Sequence, residues 1–160
     1  GYQAVHSDIT AVVRRAVGVK VVVIRDDPYE QGLRAALNFG HTIGHAVESA
    51  SDYRLRHGEA VAIGMVVEAR LSESLGLAQD GLADRLAGAL RSNGLPTDLP
   101  PGLDPSTILR RMLVDKKNVG GKPRFALPIE IGKIQVGVEL DQAGESALQE
   151  LITTAPAGPR

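Results

Sequence analysis

Apolar residues recur at helical spacing through most of this chain. Ile9, Val12, Val13, Ala16 and Val17 form one such set, preceded by Ser7 and Asp8, either of which can cap a helix. Val19-Lys20-Val21-Val22-Val23-Ile24 has the β-branched density of a strand, and Arg25-Asp26-Asp27-Pro28 reads as a turn. Asp27 or Pro28 then opens a helix from about 29 to 50, with Leu33, Ala36, Leu37, Ile43, Ala46 and Val47 as its apolar positions. After a polar loop over 51–57, a helix from about 58 to 75 carries Val61, Ala62, Met65, Val66, Ala69 and Leu71 mostly on one side, and Gly76 closes it. A further helix spans about 81–91 and ends at Asn93-Gly94; a proline-rich loop follows from Pro96 to Pro105. Asp104-Pro105-Ser106 starts the next helix, which carries Ile108, Leu109, Met112 and Leu113. Beyond the turn Asn118-Val119-Gly120-Gly121, residues 124–127 and 133–138 read as two short strands, and Asp141 caps a last helix through Leu148, Leu151 and Ile152. The pattern predicts a mainly α, multi-helical domain over 1–154 with one small β-hairpin, and a flexible tail of small residues over 155–160.

Composition sharpens this picture. Aromatics are only 3% of the 160 residues, so aliphatic side chains must fill the core, which favours helix-on-helix packing over a β-sandwich. A net charge of -1 argues against a nucleic-acid partner, and no apolar run is long enough for a membrane helix. The absence of Cys excludes disulfides, thiolate metal sites and a cysteine nucleophile, and fits a cytoplasmic protein. The start Gly1-Tyr2-Gln3, without Met, reads as the middle of a longer polypeptide.

Three of the four histidines, His41, His45 and His57, fall within seventeen positions. His41 and His45 are one helical turn apart on a predicted helix and project from one face, with Glu48 close to that face. A histidine pair at this spacing with a third nearby suits a divalent metal; the alternative is a set of hydrogen-bonding or surface histidines. The residue next to His41 is Thr42 rather than Glu, so the helix is not that of a zinc protease. Gly40 and Gly44 are each unfavourable in a helix by about 1 kcal/mol, so something must approach that backbone closely. Arg34, Asn38, His41 and His45 form a polar stripe on the same predicted helix, which suits an anionic ligand, since an Arg fork matches carboxylate or phosphate. Lys116, Lys117 and Lys122 are further candidates for anion contacts or a solvated turn, and Lys20 among its valines is either a surface or a functional lysine.

The run Leu37-Asn38-Phe39-Gly40-His41-Thr42-Ile43-Gly44-His45-Ala46-Val47-Glu48 closely resembles the 3-dehydroquinate synthases. The resemblance continues in Arg56-His57-Gly58-Glu59-Ala60-Val61-Ala62-Ile63-Gly64-Met65, Asp115-Lys116-Lys117, Arg124-Phe125-Ala126-Leu127-Pro128 and Ile131-Gly132-Lys133, and extends upstream to Lys20 and Glu30-Gln31-Gly32-Leu33-Arg34. It implies a lyase of the shikimate route, using NAD and a divalent metal (zinc or cobalt), that turns the sugar phosphate 3-deoxy-D-arabino-heptulosonate 7-phosphate into 3-dehydroquinate and phosphate. Alcohol oxidation, phosphate elimination, re-reduction, ring opening and aldol closure make up that conversion. By the resemblance, His41 and His57 are metal ligands and His45 is a catalytic, substrate-side residue that aids proton transfer. Arg34 and Lys20 bind a carboxylate, and Asn38 with Lys116 or Lys117 binds phosphate. The segment around Lys20 is helical in that family, which overrides the strand reading.

Only the family's C-terminal helical domain is matched. No glycine-rich dinucleotide fingerprint is visible, and neither the Rossmann-like N-terminal domain nor the third metal ligand, an upstream Glu, is present. The expectations are therefore a 160-residue chain that is inactive alone, a missing nucleotide-binding domain as its partner, and a parent that forms a homodimer. The competing readings are another sugar-phosphate cyclase, such as a 2-deoxy-scyllo-inosose or valiolone-type synthase, a more distant polyol dehydrogenase, and a non-catalytic helical binding domain.

Overall fold

The computed structural model describes residues 8–30, 32–119 and 123–154, without the side chains of 113–119. Ser7, the Gly120-Gly121 turn, Lys122 and the tail over 155–160 lie outside the described residues, as do the side chains of Lys116 and Lys117.

Asp8 opens the first helix, α1 (Ile9–Asp26): its Oδ1 accepts from the Ala11 N–H at 2.9 Å. The strand expected at Val19–Ile24 is helix, in line with the resemblance. Strand propensity is a bias of at most about 1 kcal/mol per residue, and among the described residues no strand lies beside this segment to pair with an extended backbone. No residue of α1 is buried, and Ile9, Val13, Val17, Val19 and Val21 are each more than half exposed.

The single helix expected over 29–50 is two elements, a 3-10 helix (Leu33–Asn38) and α2 (His41–Ala50). Asp27 does not open it. Its Oδ2 instead accepts from Gly32 N at 2.8 Å and Arg34 N at 2.9 Å, organising the turn before the 3-10 helix. The break falls at Gly40, whose φ of +82° only glycine adopts readily.

Next come α3 (His57–Ser74), α4 (Leu82–Ser92) and α5 (Pro105–Val119). A β-hairpin follows, β1 (Arg124–Glu130) with β2 (Lys133–Glu139), and α6 (Gln142–Thr154) ends the described chain. The strands pair antiparallel with Arg124 opposite Glu139 and Glu130 opposite Lys133, and Gly132 turns the hairpin at φ +87°. Asp141 caps α6 as expected, its Oδ1 accepting from Gly144 N at 2.8 Å. None of the described helices is long and apolar enough to cross a membrane.

The core is aliphatic: Ile43 and Val47 of α2, Ile63, Val67 and Leu71 of α3, Ile108 of α5, Leu127 of β1 and Ile152 of α6, with Phe125. The helix α3 is not one-sided as its sequence suggested. Ala60, Ala62, Ile63, Gly64, Val66, Val67, Glu68, Ala69, Leu71 and Ser72 are all buried, so it is the central helix, with α2, α4, α6 and β1 packed around it. Ser72 Oγ donates to the Pro128 carbonyl at 2.5 Å, tying α3 to β1.

Candidate metal centre

Two crossing helices build the site. α2 begins at His41 and carries His45 one turn on; α3 begins at His57. The close backbone approach that Gly40 and Gly44 called for comes from α3. A Cβ on Gly44 would lie 3.0 Å from Val61 Cα, and one on Gly40 would lie 2.8 Å from the Val61 carbonyl and collide with Met65 Cγ. Gly64 faces them, and a Cβ there would run into the Gly40 carbonyl oxygen and lie 2.7 Å from Gly44 N. Three glycines thus let two helix backbones touch, which brings His57 over the His41–His45 face.

One ring nitrogen from each of His41, His45 and His57 lies within 4.8 Å of the other two. His45 and His57 are exposed and His41 is half-buried. His41 Nδ1 lies 3.3 Å from the Phe39 carbonyl oxygen, and His57 Nδ1 lies 3.3 Å from Glu48 Oε2. Burial holds the His41 imidazole below its ordinary pKa, with His45 and His57 adding to this, while the Phe39 carbonyl pulls the other way. A neutral imidazole is the form that ligates a cation. At the start of α3, Glu59 Oε2 accepts from Arg56 N at 2.9 Å, which fixes the turn that carries His57. The donor set, three nitrogens on two rigid helices, fits a zinc-type divalent ion.

The polar stripe proves to be split. Arg34 and Asn38 sit on the 3-10 helix, and the Phe39–Gly40 turn separates them from His41 and His45. They converge instead on Glu30, which sequence reasoning did not single out: Asn38 Nδ2 donates to Glu30 Oε1 at 2.7 Å, and Arg34 Nε lies 3.6 Å from Glu30 Oε2. Glu30 itself holds a left-handed backbone (φ 55°), strained for a residue with a side chain. Arg34 also donates to the Pro28 carbonyl at 3.0 Å. Lys20 is exposed on α1, and among the described residues it forms no hydrogen bond or ion pair with these groups.

The residue most clearly missed is Glu68, fully buried in the middle of α3. Its carboxyl accepts from Gly40 N at 2.7 Å and Ile43 N at 3.2 Å, capping the N-terminus of α2 from the neighbouring helix. A charged residue inside the apolar run Val66-Val67-Glu68-Ala69 was the available signal. Burial pushes its pKa from 4.5 up to about 8, against the opposing pull of the Gly40, Ile43 and Thr42 N–H groups. Between those values the folded chain holds a proton on Glu68 that the unfolded chain has released, so the Glu68 contribution to stability falls as pH rises from about 4.5 to about 8 and levels above that. Urea titrations at several pH values should show this decline, and Glu68→Gln should flatten it.

A sequence profile of the 3-dehydroquinate synthase C-terminal family matches residues 2–118. The 3-dehydroquinate synthase of a Synechococcus strain is 45% identical over 145 residues, which are 90% of this chain and 39% of that protein. That of Thermodesulfovibrio yellowstonii is 42% identical over 133 residues, 82% of this chain and 37% of that protein. The chain therefore spans well under half the length of these relatives. Among solved structures, 2-deoxy-scyllo-inosose synthase in complex with carbaglucose-6-phosphate, NAD+ and Co2+ superposes with a TM-score of 0.78 at 25% identity, covering 90% of this chain and 40% of that one. The 2-epi-5-epi-valiolone synthase from Streptomyces hygroscopicus, with NAD+ and Zn2+ bound, gives 0.70 at 27% identity, covering 89% and 39%. With the histidine-bearing helix pair intact and the profile spanning most of its length, this chain belongs to the family of 3-dehydroquinate synthase C-terminal domains.

Proposed function

We propose that this chain is the metal- and substrate-binding part of a 3-dehydroquinate synthase, acting on 3-deoxy-D-arabino-heptulosonate 7-phosphate within a longer polypeptide. The observation that carries this reading is the convergence of His41, His45 and His57 beside a turn that presents Arg34 and Asn38. His41 and His57 are the metal ligands common to this reading and the resemblance. A bound divalent ion would polarise substrate hydroxyl oxygens and favour their ionised forms. His45, exposed one turn from His41, is placed to hold or move a proton at a ring nitrogen.

Arg34 is the carboxylate anchor. Its side chain is engaged by Glu30 and the Pro28 carbonyl, contacts that aim the guanidinium before substrate arrives. Asn38, held by Glu30 at 2.7 Å, supplies a neutral donor for phosphate. Lys20 and one of Lys116 and Lys117 complete the anion contacts. The nucleotide site is assigned to the part of the relatives that this chain does not span, and the apolar residues bare on α1 form the surface that this part covers.

The 160-residue chain alone is expected to produce no dehydroquinate from its sugar phosphate, while the longer enzyme containing it does. In that longer enzyme, Arg34→Ala should raise KM for the carboxylate-bearing substrate by about 10- to 100-fold, the size of one or two charge-assisted contacts. The likeness to 2-deoxy-scyllo-inosose and valiolone synthases supports a second reading, a cyclase acting on a carboxylate-free sugar phosphate. Turnover of such a substrate, with no response to Arg34→Ala, would establish that reading and remove the first.

A further inference from the structure

One carboxylate of this chain touches both residues that the reading above assigns to the anionic groups of the substrate. Glu30 Oε1 accepts from Asn38 Nδ2 at 2.7 Å, and Glu30 Oε2 lies 3.6 Å from Arg34 Nε. It therefore presents to these donors the same charge and geometry that a substrate carboxylate would. We propose that Glu30 is an intramolecular competitor of the substrate: its carboxylate holds the donors of Arg34 and Asn38 until a carboxylate-bearing sugar phosphate takes them over. This rests on the reading above in taking Arg34 and Asn38 as substrate contacts, and adds a negative charge that the substrate must move aside.

The contacts of Glu30 suit such an exchange. Arg34 is fixed by other groups: its backbone N–H donates to Asp27 Oδ2 at 2.9 Å and its Nη1 to the Pro28 carbonyl at 3.0 Å. Its link to Glu30 is beyond hydrogen-bond reach, an ion pair between side chains that are 35% and 43% exposed. Pairs so exposed are weak, because water screens them and two long side chains must be held still. Arg34 thus keeps its place when Glu30 leaves, and little is lost. Asn38 gives Glu30 one short hydrogen bond, which a phosphate oxygen can replace one for one. A Glu30 that stayed would set its negative charge against the incoming carboxylate and phosphate, and like charges at contact distance repel.

The backbone delivers the carboxylate to this position. On a straight α-helix, residues eight apart are separated by about 12 Å along the axis, too far for the side chains of Glu30 and Asn38 to meet. Here the segment between them is not continuous helix. Asp27 Oδ2 accepts from Gly32 N at 2.8 Å as well as from Arg34 N, and Glu30 turns through a left-handed φ of 55°. Residues with a side chain seldom adopt that conformation, and where they do the surroundings enforce it, often at ligand sites. Glycine would take it without strain. Glutamate in its place sets a carboxylate on both anion-binding side chains at once.

The test is steady-state kinetics of the longer enzyme with 3-deoxy-D-arabino-heptulosonate 7-phosphate at low and high salt, with circular dichroism to verify folding of each variant. Glu30→Gln keeps the side-chain length and an acceptor oxygen for Asn38 but removes the charge. It should lower KM by about two- to fivefold, the size of one exposed ion pair. The change should lie in KM rather than kcat, and it should shrink at high salt, which screens the charge that Gln lacks. In an Arg34→Ala background the fall should be smaller, because one of the two contested donors is gone. An unchanged or raised KM in folded Glu30→Gln, or a fall of the same size in the Arg34→Ala background, overturns the competition. With KM still raised by Arg34→Ala alone, that outcome leaves the proposed function standing and makes Glu30 a fixed support of Arg34 and Asn38. A KM that Arg34→Ala does not change removes the carboxylate anchor, and this proposal with it.

Discussion

Gly64→Ala is expected to destabilise the chain by about 1–3 kcal/mol and to pull the histidine cluster apart, because the new methyl group has nowhere to go. Its Cβ would overlap the Gly40 carbonyl oxygen and sit 2.7 Å from Gly44 N. Both obstacles are backbone atoms, so no rotamer change relieves them; α2 and α3 must separate. Separation at this crossing moves His57 away from His41 and His45, coupling a packing defect to loss of the site. Gly58→Ala is the matched control, a glycine of the same helix with nothing within 4 Å of its Cβ position. That change should be neutral or stabilising by up to about 1 kcal/mol, since alanine is the better helix former. Denaturant midpoints of the two variants provide the comparison. Equal stability of both would remove the close helix contact as the reason for these glycines.

Glu68→Ala is expected to cost about 3 kcal/mol or more. It leaves the buried N–H groups of Gly40 and Ile43 without their acceptor and opens a cavity in the centre of α3. Each unpaired buried donor costs about 1–3 kcal/mol, and no water-filled surface adjoins a side chain that is 0% exposed. The loss should also be local. Hydrogen exchange of the α2 amides near His41 should accelerate before that of α6, since Glu68 caps α2 and does not bond α6. Glu68→Gln, which keeps an acceptor oxygen and the volume, should recover part of the stability. Uniform acceleration of exchange across all helices would mean that Glu68 supports the core in general rather than the start of the histidine helix.

Most helix ends were legible because they rest on local chemistry. Asp8 and Asp141 cap the helices they were expected to cap, Gly76 closes α3 at a left-handed φ of 67°, and both hairpin strands start where expected, β1 running three residues further and β2 one. Each of these depends on residues within a few positions of one another. The clustering of three histidines was legible for the same reason: His41 and His45 are adjacent turns of one helix, and His57 opens the next.

What the linear pattern misjudged depends on other parts of the chain. The run Val19–Ile24 is helix, and among the described residues no strand lies beside it, which its composition does not record. The continuous helix over 29–50 breaks at Gly40 because α3 crosses there and Glu68, twenty-eight residues away, supplies the cap that α2 lacks locally. Glu30 joins Arg34 to Asn38 across a turn whose strained backbone leaves no mark in hydrophobic periodicity. The family was legible from the resemblance of its motif blocks, and the helical class and the three imidazoles from short-range spacing and residue chemistry. Only the tertiary structure decided that the imidazoles meet at a glycine-lined helix crossing pinned by a buried carboxyl group, because contacts between distant segments form only when the core brings those segments together.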